Sequence, residues 1–177
     1  RFNELVDGIT EPLGGFAFVK YGLNAGYESD QRFDATHEVL RLFVFGQYES
    51  WHDGSFLGAT GVIPSVNISL DEIKPSDESP RALAGDDSSY SRVSGEMSLW
   101  MPIRQFFNSP AALTLSYRTY QELSPSELVE AANLDKYHLR TISITGPTGL
   151  FVSYSSGRLP FDLQAQQIVE LGFKTYF

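Results

Sequence analysis

The sequence predicts an all-β fold, an eight-stranded antiparallel up-and-down barrel with long loops on one side and short turns on the other. Three observations predict it. Apolar and polar residues alternate with a period of two along most of the 177 residues, and that period belongs to strands. The segments that break the alternation are themselves alternately long and short. The last fifteen residues, Leu163 to Phe177, place Leu163, Ala165, Val169, Leu171, Phe173 and Phe177 on one face. Gln164, Gln166, Glu170 and Lys174 fall on the other, and the run is long for a soluble strand.

The elements follow in order. Arg1 to Gly15 has no period, and Gly8, Pro12, Gly14 and Gly15 break any helix, so residues 1–15 are read as a lead-in before a barrel of residues 16–177. The first strand is Phe16 to Glu28, with Val19, Tyr21, Leu23 and Tyr27 against Lys20, Asn24 and Glu28. The second is His37 to Glu49, and Ser50 to Gly54 is a turn. The third is Ser55 to Leu70, where Pro64 predicts a bulge or break because it cannot donate to the ladder.

Asp71 to Ser91 is the longest irregular stretch. Its acids Asp71, Glu72, Asp77, Glu78, Asp86 and Asp87 outweigh Lys74 and Arg81. The fourth strand is Arg92 to Met101, Pro102 to Pro110 is a connection, and the fifth strand is Ala111 to Gln121. A short helix is expected next, with Ser124 as N-cap, Pro125 at the first helical position and Glu127 closing a capping box. Lys136 to Thr145 is the sixth strand, Gly146 to Gly149 a tight turn, Leu150 to Ser156 the seventh strand, and the C-terminal run the eighth.

Alternation alone does not say which face is inside. A soluble barrel hides the apolar set, and a membrane barrel hides the polar one. The polar set carries both signs, with Lys20, Glu28, Arg41, Glu49, Glu96, Arg118, Glu170 and Lys174. Opposite charges can neutralise one another in a narrow lumen. Tyr27, Tyr48, Tyr117, Tyr154, Phe173 and Phe177 sit near strand ends on the apolar face, as interfacial girdles do. Strands of this length suit a tilted span of hydrocarbon. These features predict a transmembrane barrel. There is no Cys, and no apolar run is long enough for a spanning helix. The net charge of −9 argues against nucleic acid as a partner.

Residues Glu170 to Phe177, E-L-G-F-K-T-Y-F, resemble the C-terminal signal of Gram-negative outer-membrane barrel proteins. They share its polar residue, a Gly two positions later, hydrophobic alternation and a terminal Phe; Thr175 stands where an apolar residue is usual. With eight strands, the chain resembles the small OmpA/OmpX-like class. That resemblance implies a multi-pass protein of the cell outer membrane with its lead-in on the periplasmic side. Its partners would be outer-membrane lipid, lipopolysaccharide and the barrel-assembly machinery, which would read Glu170, Gly172, Phe173 and Phe177.

The expected role is membrane-structural, or surface interaction through acidic outer loops. A porin-like path for small solutes is the first alternative, and a lipid-modifying enzyme the second. For the enzyme, His37 with Asp86 and Ser88 on the long-loop side could supply a base and nucleophile for acyl transfer. This is loosely similar to the lipid A palmitoyltransferases, but their motifs around the His are absent, and no catalytic residue is assigned. No spacing matches a Ca²⁺ loop or a phosphate-cradling Gly loop, so neither metal nor cofactor is expected.

Overall fold

A computed structural model describes residues 3–4, 16–29, 35–48, 60–103, 111–162 and 164–173. Their strands form one antiparallel sheet in sequence order. A two-residue strand, β1 (Asn3–Glu4), precedes eight long ones. These are β2 (Phe16–Ser29), β3 (Thr36–Tyr48), β4 (Ile63–Pro75), β5 (Tyr90–Ile103), β6 (Ala111–Glu122), β7 (Lys136–Thr145), β8 (Leu150–Arg158) and β9 (Gln166–Phe173). Two short helices, α1 (Pro80–Leu83) and α2 (Glu127–Ala131), lie in the connections after β4 and β6. Up-and-down order puts the connections after β2, β4, β6 and β8 at one end of the sheet, the loop end.

All eight predicted strands are present, and β7 keeps its predicted bounds. Four details differ from expectation. The third predicted strand, Ser55 to Leu70, begins only at Ile63 as β4, with Thr60 helical and Gly61 in a turn before it. The pairing of β4 with β5 is unbroken at Pro64, which faces Leu99. The β3–β4 ladder ends at Ser65, so the missing Pro64 N–H costs no bond there. At its other end β4 runs on to Pro75, so Asp71 to Lys74 belong to a strand and not a loop. The residue before helix α2 is Ser126 rather than Ser124, and its hydroxyl donates to Asp86 and accepts no hydrogen bond from the helix backbone. Of the lead-in, Asn3 and Glu4 are described, and they pair with Ala25 and Asn24 on the free edge of β2. Glu49, Lys174 and Phe177 lie outside the described residues, as do the turn at 50–54 and most of the 102–110 connection.

The two faces of the sheet differ in chemistry. One exposes Leu23, Leu42, Ile68, Met97, Tyr117, Ile142, Val152 and Leu171 on successive strands. The other buries His37, Ser69, Asp71, Arg92, Ser94, Ser153 and Ser155. The sheet curls around the polar face. Arg92 on β5 reaches Glu28 on β2 at 3.0 Å, three strand spacings away, or roughly 14 Å along a flat sheet. His37 at the start of β3 lies 4.4 Å from Phe161, in the connection after β8. Among the described residues β9 pairs with β8 alone.

Two glycines are fixed by close approach. Gly157 has φ 141°, and a Cβ there would run into the carbonyl oxygen of His138 on β7. Gly157→Ala is therefore expected to lower stability by about 1–3 kcal/mol, read as a shifted urea midpoint. Gly172 faces Phe151 across the β8–β9 ladder, and the Phe151 ring lies over it. That covers the bare backbone of an inward glycine with aromatic surface.

Candidate functional site

The buried polar groups stack in three tiers from the loop end inward. The outermost is a cap built from the connections after β4 and β6. Ser79 accepts a hydrogen bond from the Ala82 N–H and starts α1, which sets Arg81 over the sheet. The Arg81 guanidinium donates to Glu122 at 2.5 Å and to Asp86 at 2.7 Å, and lies 4.3 Å over the Tyr90 ring. Asp86 also accepts from the hydroxyls of Ser126 and Ser88, which hold its pKa down to about 2. Val129, Leu134 and Tyr137 make a buried apolar cluster in this cap, and the Arg158 guanidinium stacks on Tyr137.

The second tier is an ion-pair layer. Asp71 on β4 is fully buried and accepts from Arg41 on β3, Arg92 on β5, and the hydroxyls of Ser69 and Ser94. Arg41 spans Asp71 at 2.7 Å and Glu28 at 2.8 Å, and Arg92 spans Asp71 at 2.8 Å and Glu28 at 3.0 Å. Two carboxylates thus alternate with two guanidiniums, and the ring closes with no net charge. Tyr120 lies 4.9 Å beneath Arg92, which fixes the guanidinium plane from the other side.

The third tier is a polar cavity of about 250 Å³ lined by Glu28, Arg41, Asn67, Glu96, Arg118 and Tyr120. Glu96 and Arg118 face each other across the β5–β6 ladder and pair at 3.0 Å. The Asn67 carbonyl oxygen is buried without a partner among the described residues. Such an atom calls for water, and the cavity is roomy enough for several molecules.

The predicted lumen charges divide accordingly. Glu28, Arg41, Glu96 and Arg118 meet in the second and third tiers. Lys20 lies on the same face, toward the other end of β2, opposite Phe45 on β3. Glu170 accepts from Ser153 on the neighbouring strand. Glu49 and Lys174 lie outside the described residues.

Sequence reasoning missed the centre of the layer. The alternation places Asp71 in a loop and marks neither Arg92 as an enclosed charge nor Arg81 and Glu122 as partners. The signal that would have found Asp71 and Arg92 is parity: Asn67, Ser69 and Asp71 alternate on β4, as Arg92, Ser94 and Glu96 do on β5. The alternative triad is not assembled. Asp86 and Ser88 touch, but both ring nitrogens of buried His37 lack hydrogen-bond partners among the described residues. His37 packs instead against Phe161 and the edge of Tyr90.

Comparison with protein-family models, curated proteins and solved structures gives no match. The resemblance of the C-terminal stretch therefore stands on its own residues. Of these, Glu170, Gly172 and Phe173 are described, on β9, and Phe173 points outward with Val169 and Leu171.

Proposed function

We propose that this chain is an integral β-barrel of a Gram-negative outer membrane, with its lumen plugged by the Glu28–Arg41–Asp71–Arg92 layer. One observation carries the reading: the polarity of the sheet is inverted. Leu42, Val169 and Leu171 are 51%, 74% and 72% exposed, while Asp71 and Arg92 are 0% and 1% exposed. In water that arrangement wets large apolar side chains and buries ions, both unfavourable. In a bilayer the exposed set meets acyl chains, and the ions neutralise one another in pairs inside. Eight strands leave an interior that side chains fill, and the ion-pair layer fills it here. No helix among the described residues is long and apolar enough to span a membrane.

The role that follows is non-enzymatic. The protein stabilises the outer membrane or presents its acidic loop end, with the exposed Asp77, Glu78 and Asp87, to partners outside. Outer-membrane lipid, lipopolysaccharide and the barrel-assembly machinery are its proposed partners. The test is migration on a gel from detergent before and after heating, together with membrane fractionation. A folded barrel is expected to migrate differently from its boiled form and to stay with the membrane pellet. Identical migration and recovery in the soluble fraction would overturn the reading.

The cavity below the layer favours one second reading, a narrow path for small solutes. Planar bilayers separate the two. The wild-type chain is expected to give no steady current, because the paired layer closes one end of the cavity. A steady open current would replace the plug with a channel.

A further inference from the structure

We propose that the outward face of β7 and the strands beside it at the loop end binds one phosphate-bearing acyl lipid, its phosphate at Arg140 and an acyl chain in the groove that runs from β7 to β5. The inference rests on the outer-membrane reading and gives that reading a specific ligand. Outward positions on β7 run Lys136, His138, Arg140, Ile142, Ile144, so the strand is basic in its loop-end half and apolar beyond. The register sets Tyr117 and Ser156 beside Arg140, and Thr119 and Arg158 beside His138. No outward position on these three strands carries a carboxylate. The outward face of β3 and β4 at the same end is different, with Glu38 and Glu72 beside Lys74. A basic, acid-free tier stands out on a chain of net charge −9.

The basic groups are not equally available. Arg158 is stacked on Tyr137 and donates to the carbonyls of Asn133 and Lys136. Lys136 sits 3.4 Å from Asp135. Arg140 is exposed and has neither a hydrogen bond nor an ion pair among the described residues. It stands at the rim of a groove of about 490 Å³ whose floor is Met97, Leu99, Leu115, Tyr117 and Ile142. An unpaired guanidinium beside apolar surface is unfavourable at a membrane boundary unless an anion meets it. A phosphate does so with two parallel hydrogen bonds, and His138 and Lys136 lie one and two strand repeats further out to add attraction. The acyl chain of the same molecule then covers the groove, which a free phosphate cannot do.

The test uses the full chain folded in nonionic detergent, with phosphatidic acid or with diacylglycerol of the same two chains. Bound lipid is read by native mass spectrometry. The wild-type chain is expected to retain one phosphatidic acid at about tenfold lower lipid concentration than diacylglycerol. Arg140→Gln is expected to erase that difference. Lys74→Gln, outward on β4 and paired with Glu38, should leave it intact. Equal retention of the two lipids by the wild-type chain, or a preference that survives Arg140→Gln, would overturn the site. Migration before and after heating is read on the same samples. A heat-modifiable chain without lipid preference sinks this site alone, and a chain with no heat-modifiable form sinks the outer-membrane reading with it.

Discussion

Asp71→Asn is expected to destabilise the protein by about 3–5 kcal/mol, the cost of leaving a buried ion pair half made. The substitution hardly changes volume, so the effect is electrostatic. Arg41 and Arg92 both lean on the Asp71 carboxylate, and after the change they share Glu28 as their one remaining acid in the layer. The amide also presents an N–H₂ toward donors that need an acceptor, among them the hydroxyls of Ser69 and Ser94. Urea unfolding in phospholipid vesicles reads the loss as a lower midpoint. Asp77→Asn, in the exposed connection after β4, is the control and should stay within about 0.5 kcal/mol. Pairing Asp71→Asn with Arg41→Gln should recover part of the loss, because the second change removes a charge the first left stranded. A midpoint unmoved by Asp71→Asn would mean that the layer does not hold the sheet together.

Leu42→Arg has the second-largest expected effect and bears on which solvent the outer face meets. Leu42 lies on β3 between Leu23 of β2 and Leu70 of β4, and all three are exposed. If the face meets hydrocarbon, an arginine there costs about 2–4 kcal/mol near the bilayer midplane. If it meets water, a surface change of this kind stays within about 0.5 kcal/mol. Stability of Leu42→Arg in phospholipid vesicles, set against Lys74→Leu nearer the loop end, separates the cases. A neutral Leu42→Arg would move this face out of the bilayer.

Much of the fold was legible because β-structure writes itself locally. Period-two alternation located all eight long strands, and the turn between β7 and β8 falls at 146–149 as predicted, while β8 runs two residues past its predicted end. What was not legible depends on partners distant in sequence. Asp71 and Glu72 beside Lys74 read as a polar loop, because nothing within several residues shows that Asp71 faces a guanidinium. Arg92, its partner, is 21 positions on, and Glu28 is 64 positions before Arg92. The start of α2 is a similar case. Ser124 and Ser126 are both competent caps locally, but the helix starts after Ser126, whose hydroxyl is engaged by Asp86, far away in sequence, and not by the helix. The outward position of the apolar set followed from charge on the opposite set, and the exposed leucines of β3, β4 and β9 agree with it.

The ionic layer has one more consequence, for how such a chain is delivered. Glu28 and Arg41 belong to the hairpin of β2 and β3, and Asp71 and Arg92 to the hairpin of β4 and β5. Each hairpin therefore brings one acid and one base, and is electrically balanced at this level before it meets the other. Docking the second hairpin on the first only exchanges partners, through the Arg41–Asp71 and Glu28–Arg92 contacts. A chain threaded into an apolar medium two strands at a time would never have to carry a lone ion from this layer across it.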